Sequence, residues 1–249
     1  VTCVGGVPIH PQIQALKRHN QFIIGTPGRI LDLIERRKFD PTRTNSIVLD
    51  EADRMLDMGF IGDMRSILAK APTDRHTLFF SATMTDAART ITKEFLRDPI
   101  TISIKKQDTT NSIAQDVVPY YQDSKLDTLL AMLNTSPYER VIIFGAMKRG
   151  VENLSNQLQK NGIKAESIHG NKSHGQRQRA LRNFKEGKVQ VLVATDVAAR
   201  GIHVDNVTHV INYDLPNTQE DYVHRIGRTG RGSDSGQALT FVPNTKQAK

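Results

Sequence analysis

Asp50-Glu51-Ala52-Asp53 places three carboxylates directly after the apolar run Ile47-Val48-Leu49. In open α/β sheets, ligands bind beyond the carboxyl ends of the strands. A carboxylate there can hold Mg²⁺ directly or through water, and a second can orient or deprotonate an attacking water. Asp50 suits the first role and Glu51 the second. Acids at a helix start also simply complement the helix dipole, so the four residues alone leave both readings open. Ser81-Ala82-Thr83 follows the run Thr77–Phe80 at the matching position, where Ser and Thr are also ordinary helix caps. The stretch His224-Arg225-Ile226-Gly227-Arg228-Thr229-Gly230-Arg231 is more specific. It gathers three arginines and a histidine in eight residues, with glycines that permit close backbone approach. Guanidinium groups make planar, multidentate contacts to phosphate, and arginines can stabilise charge on a transferring phosphoryl group. A solvated basic turn is the plainer reading of the same residues.

These residues need a scaffold, and the hydrophobic pattern supplies one. Short β-branched runs recur at Phe22-Ile23-Ile24, Ile47–Leu49 and Thr77–Phe80, then at Val141–Phe144, Val191–Ala194 and His209–Asn212. Continuous apolar runs of this length read as strands buried on both faces, as in a parallel sheet. Helical stretches alternate with them, from about Pro27 to Arg37, Lys148 to Asn161 and Ser173 to Glu186. The alternation predicts an α/β fold with crossover connections. Residues 105–116 are polar and lack apolar periodicity, so they read as a linker between domains at 1–104 and 117–243.

The chain of 249 residues carries a net charge of +8, which suits a polyanionic partner as well as a merely soluble basic protein. The excess is spread over both halves, so a nucleic-acid surface has to be built by folding. Cys3 is the single cysteine, which excludes an internal disulfide and a cysteine metal cluster and fits a reducing, cytoplasmic setting. Its plain reading is a small core residue. No apolar run approaches the roughly 20 residues of a membrane span, so no membrane partner is expected.

Taken together and in this order, the motifs resemble the DEAD-box ATP-dependent RNA helicase family, over nearly the whole chain. The resemblance implies two RecA-like domains with parallel sheets flanked by helices, the first incomplete, and ATP and Mg²⁺ as cofactors. Gly5-Gly6 and Thr26-Pro27-Gly28-Arg29 look like RNA-contacting motifs of the first domain. Asp50–Asp53 looks like the signature tetrad, and Ser81–Thr83 like the element that couples hydrolysis to unwinding. Val141–Phe144 looks like the strand opening the first motif of the second domain. Thr195-Asp196 through Arg200-Gly201 looks like a motif facing both RNA and nucleotide, and His224–Arg231 like an arginine-finger motif. By the resemblance, Asp50, Glu51, Arg228 and Arg231 are catalytic, the arginines reaching the γ-phosphate across a cleft. Asp53, Ser81, Thr83 and His224 couple the domains. Gly6, Thr26, Gly28, Arg29, Arg177 and Thr195 touch the RNA backbone, and the 2′-hydroxyl distinguishes RNA from DNA. The absence of Trp and the presence of only five Tyr agree with binding through sugar and phosphate rather than by stacking.

The sequence departs from the family in three places. It contains no Gly-x-x-x-x-Gly-Lys-Ser/Thr phosphate loop, whose backbone N–H groups and lysine cradle β- and γ-phosphates. Truncation of a longer product is the expectation, with two consequences. The chain alone should not hydrolyse ATP at a useful rate, and the first domain should carry an unpaired apolar strand edge. His203 stands where the family usually has an Asp that holds the nucleotide ribose, leaving that contact open. His174 replaces the glutamine that usually precedes Arg177 by three residues. The leading reading is an enzyme that opens short RNA duplexes. The alternatives are an RNA-binding clamp without turnover and a DNA translocase with the same pair of domains.

Overall fold

The computed structural model describes residues 1–84, 86–103, 113–121, 124–135, 138–199, 204–230 and 235–244. Its chain divides into two compact units, Val1–Ser103 and Ile104–Lys249.

In the first unit the order is β1 (Thr2–Cys3), α1 (Ile9–Leu16), β2 (Ile24–Gly25), α2 (Pro27–Glu35), β3 (Ser46–Leu49), α3 (Ala52–Asp57), α4 (Ile61–Lys70), β4 (His76–Phe79) and α5 (Asp86–Phe95). Two separate parallel pairs form, β1 with β2 and β3 with β4. The expectation that these runs are buried on both faces is not met. Val48, Leu78 and Phe80 are 57%, 45% and 52% exposed, while the alternating Ile47, Leu49, Thr77 and Phe79 are half-buried. Side chains alternate across a strand, so a pair covered on one face turns every second apolar residue to solvent. Phe22 lies outside β2 altogether and is exposed. Cys3 is fully buried, as a small core residue.

The second unit follows with β5 (Ile113–Tyr120), α6 (Lys125–Leu133), β6 (Val141–Phe144), α7 (Lys148–Lys160), β7 (Ala165–Ile168), α8 (His174–Lys185), β8 (Val191–Ala194), α9 (Asp196–Ala199), β9 (His209–Asn212), α10 (Gln219–Ile226) and β10 (Gly236–Pro243). All six strands are parallel, in the order β5-β10-β9-β6-β8-β7. Every residue of β6, β8 and β9 is buried, because helices cover both faces. Val141 and Ile143 pack with Leu129, Val151, Leu154 and Leu158 of α6 and α7. Ile142 and Phe144, pointing the other way, pack with Ala180 and Phe184 of α8. The helix α8 begins where a capping box predicts it: Ser173 Oγ accepts from Gln176 N, and Gln176 Oε1 accepts from Ser173 N.

The segment read as a linker is shorter than expected at its end. Residues 105–112 lie outside the described residues, but Ile113–Asp116 already belong to β5, paired with Gly236–Leu239. Their polarity misleads because β5 is an edge strand, and backbone pairing holds it while most of its side chains face water.

Candidate phosphate and RNA-backbone site

The acid tetrad spans the turn from β3 into the first two residues of α3. Backbone bonds join the two strand ends there: Phe80 N donates to Leu49 O (2.8 Å), and Ala52 N to Phe80 O (3.0 Å). Glu51 adopts a left-handed conformation, φ 48° and ψ 48°, which a residue with a Cβ takes only at a cost. The turn directs the exposed side chains of Asp50 and Glu51 outward at the strand's end. Asp50 Oδ1 accepts from Glu51 N (3.0 Å), leaving the other carboxylate oxygen for a ligand. Among the described residues no group of three His, Cys, Asp or Glu side chains could hold a metal. A carboxylate pair of this kind suits Mg²⁺, which keeps several waters and takes phosphate oxygens as ligands.

Asp53 turns inward and is buried. Its Oδ2 accepts from Thr83 N (2.8 Å) and from Thr83 Oγ1 (2.9 Å), across 30 residues of sequence. Ser81 Oγ donates to Thr83 O (2.5 Å). The structure thus brings the tetrad after β3 and the Ser-Ala-Thr element after β4 into one hydrogen-bonded cluster.

A second cluster forms at the start of α2. Thr26 caps the helix position, but its hydroxyl accepts from Gly5 N (3.3 Å) rather than from its own first turn. Gly6, with φ 74°, turns the chain beside it. Arg29 Nη2 donates to Val7 O (3.1 Å), while its buried Nη1 has no hydrogen-bond partner in the structure. Gly28 lies in the same first turn, and a side chain there would crowd Asp63. Gly6, Thr26, Gly28 and Arg29 therefore converge, with an unsatisfied guanidinium donor among them. A buried unpartnered donor is the feature an anion would satisfy.

In the second unit, Thr195 lies at the carboxyl end of β8, its amide donating to Ile168 O (3.3 Å) and its carbonyl accepting from Ala198 and Ala199. Arg177 sits in the first turn of α8, at the same edge of the sheet, and its Nε is buried without a partner. His224 and Arg228 lie at the end of α10, one turn apart, with Arg228 Nε donating to His224 O (3.2 Å). Thr229 Oγ1 donates to Val207 O, and Gly236 leaves the space for this turn: a Cβ there would meet Thr229 Oγ1 at 2.3 Å. Arg231, Arg200, Gly201 and His203 lie outside the described residues. Val204–Val207 and Arg228–Gly230 line a polar cavity of about 40 Å³.

Arg225 departs from the reading of the arginines as a phosphate-binding set. It is 2% exposed and fully engaged inside the unit. Its Nε and Nη2 donate to Asp196 Oδ1 (2.6 Å) and Oδ2 (2.8 Å), and its Nη1 to Asn212 Oδ1 (3.2 Å) and Asp214 O (2.6 Å). Its position within the arginine-rich stretch was a visible signal. Its partners, at the start of α9 and at the end of β9, were not.

Residues 1–91 match the family model described as DEAD/DEAH box helicase, and residues 124–233 match that of the helicase conserved C-terminal domain. The ATP-dependent RNA helicase CshA of Listeria monocytogenes is 50% identical over 239 residues, covering 96% of this chain and 46% of that protein. The DEAD-box ATP-dependent RNA helicase CshA of Geobacillus kaustophilus is 47% identical over 96% of this chain and 51% of its own length. The chain therefore spans about half the length of the curated relatives it matches. Among solved structures, a hypothetical ATP-dependent RNA helicase from Sulfolobus tokodaii is 32% identical, with 98% of this chain and 71% of that one covered and a TM-score of 0.53. Dbp5 of S. cerevisiae bound to RNA and ADP BeF3 is 31% identical, with 98% and 64% covered and a TM-score of 0.80.

Proposed function

This chain belongs to the DEAD-box helicase family, and from that premise we propose that it carries the RNA-binding and ATP-hydrolysing residues of an RNA helicase that opens short duplexes. The observation that carries the reading is the grip of Asp53 on Thr83, which makes one cluster of the acid tetrad and the Ser-Ala-Thr element. A change at the nucleotide end of that cluster reaches Ser81 and Thr83 through two hydrogen bonds rather than through loose side chains. In this reading Asp50 holds Mg²⁺, directly or through water, and Glu51 accepts the proton of the attacking water. Mg²⁺, when bound, neutralises phosphate charge. Arg228 and Arg231 counter the charge on the γ-phosphate, and Ser81, Thr83 and His224 couple that chemistry to RNA. Gly6, Thr26, Gly28 and Arg29 contact sugar and phosphate in the first unit, and Arg177 and Thr195 do so in the second. The orphaned donors of Arg29 and Arg177 support a phosphate ligand at both places. Contacts of this kind are indifferent to base sequence.

Among the described residues no helix is long and apolar enough to cross a membrane. Work on RNA in the cytoplasm is part of the same proposal, and the likeness to RNA helicases supports it. For these 249 residues on their own, a second reading is favoured by one feature: the sequence has no phosphate loop. The chain as it stands then acts as an RNA clamp without turnover. Binding of labelled single-stranded RNA and of DNA of the same sequence, with phosphate release from ATP measured in parallel, tests both readings. RNA should bind more tightly than DNA, the affinity should fall steeply with salt, and phosphate release should stay at background. Equal or tighter DNA binding would overturn the RNA reading in favour of a DNA translocase. RNA-stimulated phosphate release would overturn the clamp.

A further inference from the structure

We propose that Arg225 is a positioning residue that locks the RNA-contacting and phosphate-contacting segments of the second unit into one body; this rests on the roles proposed above for Thr195 and Arg228. The guanidinium joins three separate segments. Through both carboxylate oxygens of Asp196 it holds the first residue of α9, next in sequence to Thr195. Through Asp214 O and Asn212 Oδ1 it holds the end of β9 and the loop beyond it. Its own backbone lies in α10, one turn before Arg228, and its plane faces the Phe144 ring at 5.1 Å.

Each partner is itself fixed. Asn212 Nδ2 donates to Thr240 Oγ1 (3.1 Å), which turns Asn212 Oδ1 toward Arg225. The Asp214 carboxylate accepts from Ala146 N (2.9 Å), in the loop after β6, and from Lys125 Nζ (2.9 Å) of α6. Lys125 in turn lies over the Tyr213 ring at 3.9 Å. The chain at the carboxyl ends of β8 and β9 thus meets at one side chain of α10, and the loop after β6 joins them through the Asp214 carboxylate.

Stability alone does not account for this arrangement. Desolvating a guanidinium and a carboxylate offsets most of their attraction, and apolar residues of similar volume often serve as well in a buried place. What the charged pair adds is direction: a bidentate fork accepts one orientation of α9 against α10. An apolar contact at the same place would tolerate sliding.

Amide hydrogen exchange on the 249-residue chain tests this directly with Asp196→Asn and Arg225→Lys. The amides to follow are Ala198 and Ala199, bonded to Thr195 O, and Gly227, Arg228 and Thr229, bonded within the end of α10. Both sets should exchange faster together, by on the order of tenfold or more, while α7 stays as protected as before. If either set keeps its parental rate, the lock does not exist, whatever the chain does with RNA. The double variant Asp196→Asn/Arg225→Met removes both charges at nearly constant volume. It should melt within a few degrees of the parent and bind single-stranded RNA about tenfold more weakly. A lowered melting temperature with unchanged RNA affinity of the folded protein would assign Arg225 a structural role only and overturn the proposal. Failure of the parent chain to bind RNA would instead remove the functional reading, and the exchange rates would still decide the lock.

Discussion

Glu152, on α7, accepts hydrogen bonds at one oxygen from Ser167 Oγ and His169 Nε2, and pairs with Lys172 Nζ at 3.2 Å. Burial pushes its carboxyl upward, but the donors from Ser167, His169 and Lys172 outweigh that and hold it at about 2, below the ordinary 4.5. The group binds its proton more weakly in the folded state than in the unfolded one. Its contribution to stability is therefore complete above about pH 4.5 and is lost as pH falls through about 2. With the side chain 41% exposed, solvent screening keeps that contribution modest. Glu152→Gln should lower the denaturation midpoint at neutral pH and flatten its decline between pH 4.5 and 2. An unchanged acid profile in urea titrations would show that the cluster adds nothing. The contrast with Arg225 is instructive at this scale. Both are charged groups with several partners, but Glu152 sits at the surface and links only α7 to β7 and the turn after it. Arg225 sits where the chain after β8 and the end of β9 meet α10.

The turn from β3 into α3 shows an element shaped against local preference. Glu51 takes left-handed backbone angles, φ 48° and ψ 48°, and carries no capping bond from its side chain. Such a conformation costs a non-glycine residue about 1–2 kcal/mol. It persists because the bonds from Phe80 to Leu49 and from Ala52 to Phe80 hold the turn from both sides. Glu51→Gly should therefore raise the stability of the first unit by about 1 kcal/mol in equilibrium denaturation, while removing the carboxylate proposed to take the water's proton. A loss of stability on that substitution would mean that the side chain, not the backbone, holds the turn. The same element explains why the tetrad divides its labour: Asp50 and Glu51 stay in the turn and face out, whereas Asp53, one step into the helix, faces in to Thr83.

At the scale of the whole chain the two units differ in how well their sheets are covered. The second has six parallel strands with apolar clusters on both faces. The first has two two-stranded pairs, with Val48, Leu78 and Phe80 on an open face. Isolated two-stranded pairs are marginal in water, and exposed apolar strands invite association. Limited proteolysis should cut within residues 1–103 first and leave a resistant core from about residue 113 to 243. Equal resistance of the two halves, or a resistant first unit, would show that the helices of that unit stabilise it more than its sheets suggest.

The alternation of apolar runs and helical stretches was enough to determine the α/β class, and the strands Val141–Phe144, Val191–Ala194 and His209–Asn212 lie at the residues their patterns indicate. A strand buried on both faces is mostly apolar, so its signal is local, although β9 sets only Val210 and Ile211 between the buried His209 and Asn212. The motifs were legible for a similar reason: Asp50–Asp53, Ser81–Thr83 and His224–Arg231 are contiguous, and contiguity survives in one dimension. The weaker readings were those that depend on what lies opposite. Val48 and Phe80 look like core in the sequence and are exposed, because burial belongs to the neighbour as much as to the residue. Ile113–Asp116 look like linker and form a strand, because backbone pairing does not require apolar side chains. Arg225, Arg228 and Arg231 are of one type at a three-residue spacing. Only the arrival of Asp196 from one segment and of Asn212 and Asp214 from another assigns Arg225 to the interior, and that meeting is made by the sheet order, which no single stretch of sequence contains.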